Sequence, residues 1–166
     1  MPDVTDRLSL PLLVAGQAQK EVTHNEALTL LDFLVHPVVV AVAPASVPGA
    51  PTLGQSWIVG PSPTGLWAGK ADHIASWTSG GWRFCAPREG MRAWSIADTL
   101  FVRRTSSAWV IGTETAATLS VGGQKVVGPR AAAIPNPSGG ASIDAESRLA
   151  IGVILTMLRT HGLIST

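Results

Sequence analysis

The chain contains no tyrosine, only one cysteine and little charge, and its longest unbroken apolar run, 38–43, is no longer than a β-strand. The single thiol, Cys85, excludes an intramolecular disulfide framework and reads as a small buried hydrophobe rather than a reactive group. A bilayer-spanning helix needs about 18 or more apolar residues, so membrane insertion is not expected. The first residues carry Asp3 and Asp6 and no basic cluster, unlike a secretory leader, so synthesis in the cytoplasm is expected. Charged residues make up 14% of the sequence, against roughly 25% in an average globular protein. A net charge of +1 offers neither the basic footprint of a nucleic-acid binder nor an acidic tail. With a mean hydropathy of +0.29, the chain has more apolar surface than a soluble monomer needs, and burial between subunits is the ordinary use for it.

Catalytic signatures are also missing. His24, His36, His73 and His161 are scattered, with no HxxxH or CxxC spacing, so no metal or other cofactor is expected. There is no G-x-S-x-G elbow, no P-loop and no G-x-G-x-x-G fingerprint. A glycosidase needs two carboxylates facing across a cleft. Asp72, Glu89 and Asp98 are the candidates in the central region, and each reads more simply as a solvated turn residue. The expectation is a protein that is not an enzyme.

What is present divides into four segments. Residues 1–36 hold a short apolar stretch, a polar run and a helix expected over 25–34, capped by Thr23 or Asn25, with Ala27, Leu28, Leu30, Leu31 and Leu34 as its apolar face. This segment is a candidate docking element. Residues 37–127 carry short β-like runs separated by Gly, Pro and Ser, with strands expected at 38–42, 56–59, 73–78, 82–86, 92–96, 99–103, 108–111, 118–121 and 124–127. Hairpins are expected at Ser79-Gly80-Gly81 and at Gly122-Gly123. Residues 128–142, rich in Pro and Gly, read as a linker. Residues 143–166 read as a helix with Asp144 as N-cap, Glu146 in the first turn, Arg159 and His161 in the last and Gly162 at C′. The predicted class is therefore mainly β, a small antiparallel sheet or barrel-like meander, with a short N-terminal helix and a C-terminal oligomerisation helix.

The last helix is apolar around most of its circumference, and an isolated helix of about 18 residues is marginal in water. It either folds back on its own sheet or bundles with copies of itself about a symmetry axis. The second is preferred, through Leu149, Ile151, Ile154, Leu155 and Leu158, with a trimer as first expectation and a pentamer as the alternative.

Six of the nine aromatics are Trp. An indole face stacks on the C–H surface of a sugar, which makes Trp67, Trp77, Trp82 and Trp94 candidate glycan contacts. The plainer reading is that Trp fills the core of a small sheet.

Three blocks, GQAQKEVTHNEALTLLD, GLWAGKADHIASWTSGGWRFCAPREGMRAW and IDAESRLAIGVILTMLRTHGLI, resemble an uncharacterised domain found in fibre and spike proteins of tailed bacteriophages and of alphaproteobacterial gene transfer agents. The resemblance implies a virion structural protein, made in the bacterial cytoplasm, that takes part in attachment to host surface polysaccharide. It implies other virion proteins as partners: capsid, spike fibre or baseplate. No repetitive shaft follows the final helix, so a spike base or connector is the expected form. The alternatives are a carbohydrate-binding module acting without a virion and a polysaccharide-degrading enzyme.

Overall fold

Short runs of β-branched, aromatic and small residues, interrupted every few positions by Gly, Pro or Asp, set the element lengths. The computed structural model describes residues 3–14, 16, 20–44, 46–141 and 144–165. The elements are α1 (Lys20–Leu34), β1 (Val38–Val39), β2 (Ser56–Ile58), a 3₁₀ turn (Gly65–Trp67), β3 (Ile74–Thr78), β4 (Gly81–Cys85), β5 (Arg92–Ser95), β6 (Leu100–Arg104), β7 (Trp109–Ile111), β8 (Leu119–Val121), β9 (Gln124–Val127) and α2 (Ala145–Thr160). The class is mainly β with a helix toward each end, as expected. The strands form three small sheets, ordered β1-β5-β6-β7, β2-β3-β4 and β8-β9, and none closes into a barrel among the described residues. The chain falls into two units, Met1–Thr113 and Glu114–Thr166.

In the first unit, one strand-like stretch serves two sheets. Val38 and Val39 pair in parallel with Trp94 and Ser95 of β5. Past Val39 the chain bends and pairs with β2 instead, where Ile58 N donates to the Ala41 carbonyl at 3.2 Å and Ala43 N to the Ile58 carbonyl at 2.8 Å. Val40 belongs to both ladders. Its N–H donates to the Ser56 carbonyl at 2.7 Å, and its carbonyl accepts from Ala97 N at 3.1 Å. Such a bend makes the corner between packed sheets. Gly60 lets the stretch lie close, since a Cβ there would meet the Pro44 and Ala43 carbonyl oxygens at 3.0 and 3.1 Å.

Around this corner sit the buried side chains Phe33, Val39, Ile58, Ile74, Ala93 and Val102, with Leu30 and Leu34 packed against them. Burying one such large apolar side chain stabilises the fold by about 1.5–3 kcal/mol. Because strand residues alternate in direction, Trp57, Val59 and Ala75 face the other way and join Trp67 in a second cluster. Sheet β2-β3-β4 is therefore covered on both sides, and all three β2 residues are buried.

The sequence-based boundary at residue 36 is not a break in this unit. α1 anchors through Phe33, a residue outside the expected apolar face, whereas Leu31 within that face is exposed. α1 also begins before Asn25, so Asn25 is not its cap. The Asn25 side chain instead accepts from Leu13 N at 2.9 Å and donates to the Leu13 carbonyl at 3.0 Å. Gln17, Ala18 and Gln19 of the polar block lie outside the described residues. The N-terminal turn is clasped onto α1 by Asp32, whose buried carboxylate accepts from Thr5 Oγ1 at 2.7 Å, Arg7 N at 2.9 Å and Leu8 N at 2.6 Å. The Arg7 guanidinium in turn donates to the carbonyls of Asp32, Val35 and His36, satisfying acceptors that a helix end leaves open.

The second unit takes in β8 and β9, which sequence alone assigned to the central domain. Their hairpin turns at Gly122 and Gly123, with φ of 57° and 80°, the left-handed pair that a two-residue type I′ turn requires. The Pro/Gly segment expected as a linker lies along α2. Ala131 bridges Ile164, Arg159 donates to Asn136 Oδ1 at 3.0 Å and to the Ile134 carbonyl, and Arg148 donates to the Gly139 carbonyl. Two of the segment's carbonyls, those of Ile134 and Gly139, are thus satisfied by arginines from the helix. Ser142 and Ile143 lie outside the described residues.

α2 is capped as its sequence predicts. Asp144 accepts from Ser147 N at 2.8 Å and Ser147 Oγ at 2.6 Å. Gly162, with φ of 69°, closes a Schellman motif in which Gly162 N donates to the Arg159 carbonyl and Leu163 N to the Leu158 carbonyl.

Two predictions follow from these contacts. Asp32→Ala strands two backbone donors and a hydroxyl and is expected to cost about 2–4 kcal/mol in urea denaturation; a loss below 1 kcal/mol would contradict the clasp. The hydrogen bonds from Ser147 hold the Asp144 carboxyl below the usual carboxylate range. A depressed folded value means the cap stabilises α2 above that range and is lost as pH falls through the depressed value. Helical circular dichroism is expected to decline in acid, below about pH 4, and Asp144→Asn to flatten that decline.

Candidate functional site

The six tryptophans occupy three environments. Trp57, Trp67 and Trp82 pack mutually, with ring centroids 5.1–6.4 Å apart and tilted or edge-to-face planes, and Trp77 adds to Trp82 at 5.1 Å. Trp67 is 0% exposed at the end of the 3₁₀ turn. Trp77 and Trp82 are half-buried on the same cluster. Stacking on a sugar needs an open indole face, so Trp67 is removed from the candidate contacts, while Trp77 and Trp82 spend much of their surface on each other. Edge-to-face pairs of this kind contribute about 0.5–1.5 kcal/mol beyond their buried area.

Trp109 forms a third setting, donating from Nε1 to the Asp72 carbonyl at 2.8 Å, while the Asp72 carboxylate accepts from Arg104 at 2.9 Å. Asp72 holds a left-handed backbone conformation, φ 64°, and ties a loop of one sheet to strands of the other. Of the other carboxylates considered, Asp98 accepts from Ser95 Oγ at 2.5 Å at the β5–β6 turn, and Glu89 is exposed in the loop before β5. Cys85 packs against the first core, and burial pushes its thiol above the ordinary value, with nearby Arg88 acting in the opposite direction.

A cavity lies beside Trp94. It lies on the outer face of sheet β1-β5-β6-β7, in one cross-strand row with Val38 and Phe101, and packs edge-to-face on Phe101 at 5.1 Å. Arg92 sits two residues back along β5 on the same face, its guanidinium over the Phe101 ring at 5.0 Å. These side chains, with His36, Pro37 and Ala93, line an open pocket of about 460 Å³, within the usual range of roughly 300–1,000 Å³ for small-ligand sites. Parallel pairing of β1 with β5 builds it, by bringing the exit of α1 beside the middle of the sheet. The sequence pointed to Trp94; it gave no sign of Phe101, Arg92 or His36, which only this pairing assembles.

Residues 24–110 match the model of DUF2793, described as a protein of unknown function. The chain belongs to the DUF2793 family. The match runs from within α1 to β7 and so includes the corner at Val40, the tryptophan cluster and the Trp94 pocket. No curated protein matches this DUF2793 chain in sequence.

Of the oligomerisation candidates on α2, Leu155 is 5% exposed and turned inward, and Leu158 is half-buried, whereas Leu149, Ile151 and Ile154 are exposed. At 3.6 residues per turn, the side opposite Leu155 carries Ala150, Val153 and Met157, flanked by Leu149 and Ile154. The exposed apolar stripe is therefore rotated from the seam read from spacing.

The two classes of tryptophan are separable by stability. Trp67→Ala is expected to cost about 3–5 kcal/mol in urea denaturation, and Trp94→Ala about 1 kcal/mol, typical of a partly exposed site. Equal costs would contradict this division.

Proposed function

We propose that this DUF2793 protein is a structural component of a phage-like particle, a short spike or fibre element or spike base, that self-assembles through α2 and contacts host surface polysaccharide. The observation that carries the reading is the contrast between the two units. The first has two apolar clusters of buried residues. In the second, the described residues offer only Leu155 and Ile164 as buried apolar side chains, while Leu119, Val121, Val126, Leu149, Ile151, Val153, Ile154 and Met157 are exposed. A unit of this size with so little buried surface does not hold itself folded. Packing against copies of itself about a symmetry axis supplies what is missing, and closed symmetric assemblies are the common solution. The resemblance of the sequence blocks to phage and gene-transfer-agent spike proteins supports a virion as the setting, with capsid, fibre or baseplate proteins as neighbours. A trimer is the first choice of order and a pentamer the second.

The Trp94 pocket supports a carbohydrate contact, and the same pocket would serve a carbohydrate-binding module acting without a virion. A polysaccharide-degrading role has less support, since Asp72 and Asp98 are held in structural bonds.

Light scattering on the full chain tests the assembly. The wild type is expected to elute as a discrete oligomer, and Val153→Asp combined with Met157→Asp to give a monomer that keeps the β-rich signal of the first unit. A monomeric wild type, or a double variant of unchanged mass, would remove the proposal. A monomer that still binds glycan through Trp94 would favour the free binding module.

A further inference from the structure

The pocket at Trp94 adjoins another. Val38 lines it and also lines a second pocket of about 320 Å³, together with Val40, Leu53, Gln55, Ile96 and Asp6. All of these residues belong to the first unit. The shared wall follows from the corner. Val38 pairs with Trp94 on one side of β1, and two residues on, Val40 donates to the Ser56 carbonyl on the other side at 2.7 Å, so the two pockets meet at Val38. They form one furrow that crosses the strands from Phe101 on β6, over Trp94 and Val38, to the turn before β2. At about 4.8 Å between neighbouring strands, three spacings give a path on the order of 14 Å, longer than a single sugar ring.

The two ends of the furrow differ in chemistry. The first offers ring surface, Trp94 and Phe101 packed edge to face. The second offers a hydrogen-bond donor. Gln55 Oε1 accepts from Thr52 N at 2.9 Å, which fixes the orientation of the carboxamide and leaves its NH2 group, a donor of two hydrogen bonds, without a partner among the described residues. Asp6 adds a carboxylate, one oxygen of which accepts from Ser79 N at 2.8 Å. The two arginines of the lining are already occupied. Arg7 donates to the carbonyls of Asp32, Val35 and His36, and Arg92 is engaged within the structure and lies over Phe101. A furrow whose arginines are taken and whose far end carries a carboxylate suits an uncharged ligand with apolar faces and hydroxyl edges.

We propose that the furrow takes a neutral polysaccharide along its length, with one ring stacked on Trp94 and a later ring held through a hydroxyl by Gln55, so that the chain is gripped by internal units rather than by an end. The inference rests on the reading that the protein contacts polysaccharide, and it adds the charge class of the chain and the way it is held. An extended peptide would instead add as a strand to an open sheet edge. Here β1 is flanked by a ladder on each side, and Val40 has both its N–H and its carbonyl paired, so the sugar chain is favoured.

The test is titration calorimetry of the full chain with size ladders, monosaccharide to hexasaccharide, of linear glucan, mannan and galactan, beside oligogalacturonate and an extended apolar peptide. At least one neutral ladder is expected to bind, about tenfold more tightly at the tetrasaccharide than at the disaccharide, and to level off once the furrow is filled. Gln55→Glu keeps the acceptor for Thr52 N and removes the NH2 group; it should lower tetrasaccharide affinity about fivefold and leave disaccharide affinity unchanged. Trp94→Ala should abolish binding at every length with circular dichroism unchanged, and Trp94→Phe, which preserves a ring, should retain part of it. Affinity independent of chain length, or a Gln55→Glu variant that binds the tetrasaccharide as the wild type does, would overturn the furrow. Preference for oligogalacturonate would overturn the neutral chain. Each of these results leaves the polysaccharide reading standing. Binding of no saccharide would overturn both, and preference for the peptide would replace the sugar with protein.

Discussion

Everything in the first unit depends on Val40 hydrogen-bonding into two ladders at once. Its N–H belongs to the sheet built on β2 and its carbonyl to the sheet built on β5, so neither sheet can shift register without disturbing the other. A one-residue slip reverses which side chains face inward. Here it would expel Val39 from the core and turn the Trp94 row the wrong way. The buried clusters are small, as expected of a short chain, and the corner gives them a fixed frame to fill.

Polar contacts secure what the apolar core does not reach. Asp32 and Arg7 bind each other's backbone surroundings, the carboxylate holding the N-terminal turn and the guanidinium closing the end of α1. The same exchange fixes the chain leading through His36 and Pro37 into β1. A pocket residue is therefore positioned by a clasp that begins at Thr5. In the second unit, arginines from α2 play the corresponding part for residues 134–139, and little apolar burial accompanies them.

Much of this was legible in the sequence. Nine strand positions, the two glycine-bearing hairpins and both ends of α2 were marked by local chemistry: alternation, positive-φ glycines, Asp144 and Gly162. What was illegible depended on distant partners. Nothing near Asn25 says that its side chain will serve Leu13 rather than cap a helix. Composition could not sort Trp67 from Trp94, since their difference lies in what packs above them. The Pro/Gly segment reads as a linker until the Gly139 and Ile134 carbonyls are seen bonded to Arg148 and Arg159. The Trp94 pocket was half visible, because an aromatic residue in a strand can be noticed, but the parallel pairing that brings His36 and Arg92 to it cannot.

That parallel pairing also orders events in time. Val38 and Trp94 are joined across a long stretch of chain, and contacts of such separation form late and slowly. During synthesis the corner at Val40 cannot close until β5 has left the ribosome, and β6 and β7 must follow to cover it. The apolar helix α2 emerges only after them. The order of translation thus lets the first unit settle before the exposed apolar stripe of α2 appears, which lowers the chance that unfinished chains associate through it.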